Sequence, residues 1–287
     1  MIRLTENQRE NQALPDGPGR NRFRGLDEKG FPESARVRVE TAAGRAEIDA
    51  RLAREVQAGL FPRRLPQLET LSYAGASVPA GLVGGDYFDF LDLGRGYLGL
   101  AVGDVSGKGV AAALLMANLQ AHVRSQCALA LEDMGSLLRA VDRLFQQSTL
   151  PGSYASLFFA EYRDEDRRLR YVNCGHPPAL LCHPDGSMER LEATATVLGL
   201  GQDWDCEIAE KRLAPGDRLL IYTDGVSEAA NEQGEEFGEQ RLAELLGSAP
   251  EMQAAEWPDF ILEGARRFAG QEFQDDVTLV TACSADS

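Results

Sequence analysis

Between Gly84 and Gly109 the chain reads GGDYFDFLDLGRGYLGLAVGDVSGKG, and this segment constrains the fold more than any other. Two runs rich in aromatic and aliphatic residues flank Gly94-Arg95-Gly96, a connection whose glycines suit a tight β-hairpin. With Arg95 at the turn centre, Asp86 falls opposite Asp104 across the two strands. Like charges facing each other in an antiparallel pair destabilise it. Three resolutions are open: a shared divalent cation, a protonated carboxylate, or a register displaced by a residue or two.

The hairpin belongs to a larger set of strands. Strand patterns are read at 71–79, 86–93, 97–105, 154–163, 169–174, 179–183, 206–213, 218–223 and 277–283. Helical patterns are read at 110–131 and 134–147, and again between 238 and 269. Hairpin-like runs interrupted by pairs of helices predict an α+β layered sandwich, with antiparallel sheet inside and helices outside. Residues 1–45, rich in Asn, Gln, Gly, Pro and alternating charge, read as a flexible tail. Residues 46–66 read as an amphipathic linker helix whose stripe is Ile48, Leu52, Val56 and Leu60. That stripe packs either on the domain's own body or on a second copy of itself. A globular domain over 67–284 completes the organisation.

Charge narrows the function. The 287 residues carry 29 Lys and Arg against 45 Asp and Glu, a net charge of −16. Residues 1–45 hold nine basic and seven acidic side chains, so the rest of the chain sets 20 basic against 38 acidic. Such a body repels nucleic acid and anionic membrane, and any anionic substrate must be met by local positive charge, from basic side chains or from metal ions. The N-terminus lacks an apolar core of signal-peptide length and no apolar run approaches the ~20 residues of a membrane span, so a cytoplasmic location is expected. Five scattered cysteines, Cys127, Cys174, Cys182, Cys206 and Cys283, contain no C-x-x-C pair and predict reduced, mostly buried thiols.

Two further acidic sites join the first. The strand-like DRLLIYTDGV from Asp217 ends in Asp224-Gly225, and in QDDVTLVTAC Asp275 and Asp276 precede an apolar strand. Asp86 and Asp275 thus begin strands, whereas Asp104 and Asp224 end them. In an antiparallel sheet the end of one strand lies beside the start of its neighbour. Four carboxylates so placed converge on one sheet edge, a donor set suited to hard ions such as Mg²⁺ or Mn²⁺.

Five segments in order, GGDYFD from Gly84, GDVSGKG from Gly103, NCGHPP from Asn173, YTDGV from Tyr222 and DDVT from Asp275, resemble the motifs of metal-dependent PPM-type serine/threonine protein phosphatases. Specifically they are similar to the SpoIIE/RsbU branch, and LAREVQAGLFPRRLP resembles the helix preceding the catalytic domain there. The resemblance implies a four-layer α-β-β-α sandwich with two central, mainly antiparallel sheets. It implies two Mn²⁺ or Mg²⁺ ions bridged by Asp104, with the Val105 carbonyl also a ligand. Asp224 and Asp275 would complete the first metal site, with Asp276 the fallback for Asp275, and Asp86 would belong to the second or hold its water. Asp89 matches a recurrent acidic position and is expected behind the ligands. Water activated between the ions would attack phosphorus in line, with no protein nucleophile.

The same resemblance implies as substrate a phosphorylated STAS-domain anti-anti-sigma protein in a bacterial partner-switching pathway. It leaves control to a regulatory protein at the N-terminal region or linker helix, or to a homodimer. Two other readings stand beside it: a catalytically silent binding module, and a dimetal hydrolase of small phosphoesters. The intact acidic set favours an enzyme. GDVSGKG is not a phosphate-binding P-loop, because only three residues separate its first glycine from Gly-Lys. Lys108 is either a neighbour of the metal site or a solvated surface residue. His176 is either a general acid or a hydrogen-bonded turn histidine before Pro177-Pro178, with the turn favoured, while His122 and His183 have no visible partner. Trp204 and Trp257 are read as packing residues.

Overall fold

The computed structural model describes residues 2–5, 42–129, 133–201, 203–248, 252–270 and 272–285. In chain order the elements are β1 (Ile2–Thr5), α1 (Ala42–Ala58), β2 (Leu71–Val78), β3 (Tyr87–Gly94), β4 (Tyr97–Val105), α2 (Gly109–Leu129), α3 (Met134–Ser148), β5 (Ala155–Arg163) and β6 (Arg168–Cys174). There follow β7 (Ala179–Cys182), β8 (Met188–Leu191), β9 (Ala209–Arg212), β10 (Arg218–Tyr222), α4 (Asp224–Ser227), α5 (Gly238–Ser248), α6 (Trp257–Ala269) and β11 (Val277–Ser284).

Two antiparallel sheets form the centre, ordered β1-β2-β11-β10-β7-β8 and β3-β4-β5-β6-β9. Strand alternation builds the layers. In β4, Leu98, Leu100 and Val102 point between the sheets, where they meet Phe88, Phe90, Phe158, Ile221 and Val280. Each fully buried side chain of this size stabilises by roughly 1.5–3 kcal/mol. The opposite face of β4 is small, Gly99, Ala101 and Gly103, and this lets Leu119 of α2 come close to the backbone. Helix α3 buries Leu137, Leu138, Val141 and Phe145 on one stripe and is capped by Asp133, whose carboxylate accepts from the Ser136 N–H at 3.0 Å. On the far side α5 and α6 cover the first sheet through Leu242, Leu246, Ile261 and Leu262. The result is the expected four-layer α-β-β-α sandwich.

Three expectations change. The tail read over 1–45 contains β1, which pairs with β2 from Ile2↔Ser77 to Thr5↔Ala74, and the tail reading of 6–41 lies outside the described residues. The linker helix spans Ala42–Ala58 rather than 46–66, because Gly59 and then Pro62 end it. Its stripe is largely unburied, with Leu52 41% and Val56 67% exposed, and the residue it buries is Gln57. The cysteines are free, with Cys127, Cys174 and Cys182 buried, and both tryptophans are buried. Among the described residues no helix is long and apolar enough to cross a membrane.

Candidate active site

The β3–β4 hairpin has the predicted register, with Tyr87 opposite Gly103 and Phe88 opposite Val102. Carried back one residue before the start of β3, this register sets Asp86 against Asp104. On its other side Asp104 pairs with Ser156 of β5. Asp224 opens α4 directly after β10, and Asp275 and Asp276 precede β11, the strand paired with β10. Pairing therefore joins the carboxylates two by two, Asp86 with Asp104 in one sheet and Asp224 with Asp275 in the other, so the single sheet edge expected from the sequence is instead two sheet edges apposed at one side of the sandwich.

Their electrostatics show that they share one field. Burial, then the charges of Asp224, Asp275 and Asp276, push the Asp104 carboxyl up to about 7. Burial, then the charge of Asp275, raises Asp224. Asp86, 4% exposed, is raised well above the usual carboxylate range by burial and then by Asp104, against the opposing hydrogen bond from the Thr223 hydroxyl at 2.8 Å.

Close backbone approach shapes the same edge. A Cβ added at Gly85 would lie 2.9 Å from the Val105 carbonyl oxygen and 3.6 Å from Asp104 Oδ1. At Gly225 it would lie 2.0 Å from the Asp276 carbonyl oxygen. The two members of the Asp275-Asp276 pair have different duties. Asp276 accepts from the backbone N–H groups of Ala80 and Gly85, each at 2.8 Å, and so ties the Gly84–Asp86 segment to β11. Asp275 is bound instead by Lys108, whose Nζ lies 2.7 Å from Oδ2, with both side chains well exposed.

Asp89 is 0% exposed and forms a two-pronged ion pair with Arg124, Nε to Oδ2 at 2.6 Å and Nη2 to Oδ1 at 3.0 Å. It stands on the helix-facing side of β3 and does not join the carboxylate edge. His176 is buried, its backbone N–H donates to Asn173 Oδ1 and its Nδ1 lies 2.8 Å from the Ser156 hydroxyl. Burial lowers its pKa to about 3, so at neutral pH it has no proton to give as an imidazolium, and the turn reading is the one the structure supports. His122 sits 3.2 Å from the Ser148 hydroxyl, and His183 does have partners, Asp217 at 2.8 Å and Glu189 at 3.2 Å.

One contact escaped sequence reading. The Gln57 side chain donates to the Gly84 carbonyl at 2.7 Å and accepts from the Gly84 N–H at 3.1 Å, so α1 grips the segment leading to Asp86. A glutamine beside an apolar stripe gives no periodic signal. Only its place before Gly59 and Phe61, where the helix meets the body, hints at it.

The donors fit a hard divalent cation in kind, being carboxylates with a cleared backbone carbonyl and a surplus of negative charge. Among the described residues, no three His, Cys, Asp or Glu side chains are drawn together as a finished cage.

The family described as Stage II sporulation protein E (SpoIIE) matches residues 94–284. Phosphoserine phosphatase RsbU of Bacillus subtilis (strain 168) is 30% identical over 234 residues, which is 80% of this chain and 68% of that protein. The crystal structure of the RsbU and RsbW domains of Rv1364c from Mycobacterium tuberculosis superposes with TM-score 0.65 at 31% identity, over 77% of this chain and 62% of that one. The catalytic domain of the serine threonine protein phosphatase PstP, in complex with 2 manganese ions, has the same fold at TM-score 0.55 and 22% identity, over 76% of this chain and 99% of that one.

Proposed function

This chain belongs to the SpoIIE family of PP2C-type serine phosphatases, and from that premise we propose that it removes phosphate from phosphoserine or phosphothreonine in a STAS-domain anti-anti-sigma protein of the cytoplasm. Residues 67–284 are the catalytic unit in this reading, and α1 is its link to a regulatory protein or a second copy. One observation carries the site: Asp86, Asp104, Asp224 and Asp275 reach one side of the sandwich from four strand ends, in the hairpin register that sets Asp86 against Asp104.

Asp104, Asp224 and Asp275, with the Val105 carbonyl cleared by Gly85, would hold the first of two Mg²⁺ or Mn²⁺ ions shared through Asp104. Asp86, buried and oriented by Thr223, would serve the second or its water. Asp275 takes the ligand role over Asp276 because the Asp276 carboxylate is already committed to two backbone N–H groups. Divalent ions held there would supply positive charge to the phosphoryl oxygens and acidify water. Lys108, paired with Asp275, would hold its exposed ammonium at the rim of this edge, available to an entering phosphate. His176 keeps Ser156, the cross-strand neighbour of Asp104, in place.

The test is release of phosphate from a phosphoserine-bearing STAS protein and from p-nitrophenyl phosphate, with Mn²⁺, with Mg²⁺ and after chelation. Asp104→Asn and Asp224→Asn should abolish metal-dependent release while the fold persists. Full activity in either variant, or in chelator, would overturn the assignment. Hydrolysis of the small ester with none of the phosphoprotein would favour a small-phosphoester hydrolase instead.

A further inference from the structure

At the opposite end of the β3–β4 hairpin a second feature breaks the acidic character of the chain. A cavity of about 480 Å³ is lined by Leu93, Arg95, Tyr97, Glu161, Arg168 and Arg170. It lies eight residues along β3 from Asp86, roughly 26 Å at the rise of a strand. Leu93 and Tyr97 belong to the cluster packed under α2 and α3, so the cavity is on the helix-facing side of the second sheet.

Register explains why the arginines gather there. Tyr97 pairs with Arg163, Arg163 with Arg168, and Arg168 with Arg212, so three guanidinium-bearing residues stand abreast on one face. In the next row Glu161 pairs with Arg170 and Arg170 with Glu210. Like charges opposed across strands cost stability unless something neutralises them. Asp166 does so for Arg163, with Oδ1 2.6 Å from its Nε. The remaining compensation is thin. Glu210 stands 3.7 Å from Arg168 and Glu161 stands 3.4 Å from Arg170. Arg170 Nε is buried and meets Glu161 Oε1 as an ion pair at 3.4 Å without hydrogen-bond geometry, and no ion pair is formed by Arg95 among the described residues. An ion pair at that distance leaves the guanidinium's hydrogen-bonding capacity incompletely used, and arginine's planar fork matches phosphate.

We propose that this cavity is a binding site for a small organic phosphate of nucleotide size, its phosphate held by Arg95, Arg168 and Arg170 and its body resting against Leu93 and Tyr97. The volume lies in the range of small-molecule sites. Glu161 holds Arg170 in place beneath the phosphate. The site is separate from the carboxylate edge and does not depend on the activity proposed for that edge.

Isothermal titration of the full chain with ADP in EDTA tests it, since chelation keeps the carboxylate edge free of ions. ADP should bind, and Arg95→Gly and Arg168→Glu should each weaken it about tenfold or more, the loss of one charge-assisted contact. Arg95 has φ +51°, a backbone glycine adopts freely, so Arg95→Gly leaves the fold intact, which an unchanged urea midpoint verifies. Asp104→Asn should bind ADP as the parent does. Pyrophosphate competing fully with ADP would assign the affinity to the phosphates, and competition at least tenfold weaker would add the wall of Leu93 and Tyr97. No heat with millimolar ADP, binding indifferent to both arginine variants, or binding lost in Asp104→Asn would overturn the proposal.

Discussion

Asp89 and Asp86 are three residues apart and chemically identical, yet their partners give them different work. Asp86 looks along the strand end toward Asp104, while Asp89 is locked under α2 by Arg124. Removing Arg124 strands a fully buried carboxylate. Arg124→Ala should cost about 2 kcal/mol in a urea titration, less than a wholly buried pair because the guanidinium is 45% exposed, and Asp89→Leu in the same chain should recover most of it. His183 offers a pH-dependent counterpart. Its hydrogen bond to Asp217 raises its pKa above the usual 6.5, so the protonated form favours the folded state. That stabilisation is complete below the unfolded value and is lost as pH rises through the higher folded value. His183→Gln should therefore melt lower than the parent near pH 6, with the gap narrowing toward pH 9. Neither role was legible in the sequence. Arg124 lies 35 positions from Asp89 and Asp217 lies 34 from His183, and no local pattern links such pairs.

At the scale of elements, legibility follows the source of the signal. Hairpin register was readable because the Gly94-Arg95-Gly96 turn centres it, with a shift of one residue between Asp92 and Gly94 beside the turn, and β4 matches its expected bounds of 97–105. Strand β8, four residues with no alternation of burial, left no trace in the pattern. Helix α1 shows a subtler failure. Periodicity found its apolar stripe but could not tell which face meets the body, and the structure buries Gln57 while leaving Leu52 and Val56 exposed. The exposed stripe remains open to the second copy or regulator proposed above. Gln57 makes α1 a mechanical part of the site, since its amide holds both backbone groups of Gly84. Gln57→Ala should lower turnover at least several-fold and stability by about 1–2 kcal/mol, the cost of two unsatisfied buried backbone groups. Turnover equal to the parent's, measured on folded protein, would detach α1 from the site.

For the whole molecule, the decisive quantity is charge held in place against its own repulsion. The fold spends two sheets and four strand ends bringing carboxylates together in a chain already at −16. Without bound cations such an arrangement opposes folding, since burial and the charges of Asp224, Asp275 and Asp276 push the Asp104 carboxyl up to about 7. A divalent ion binding only the folded state reverses that, adding about 2.7 kcal/mol at a concentration one hundred times its dissociation constant. Mn²⁺ or Mg²⁺ should therefore raise the melting temperature, and chelator should remove the increment. Asp104→Asn should act with opposite signs in the two conditions. Without metal it deletes a repelling charge and melts at or above the parent, whereas with metal it gains nothing. A simple structural aspartate would lower the melting temperature equally in both, so the crossing of the two effects identifies an edge built to be completed by cations. Strand beginnings and endings made the two carboxylate pairs legible, because antiparallel pairing converts those positions in sequence into proximity in space; that the pairs stand in different sheets, brought together by the packing of the sandwich, had no signal in the pattern.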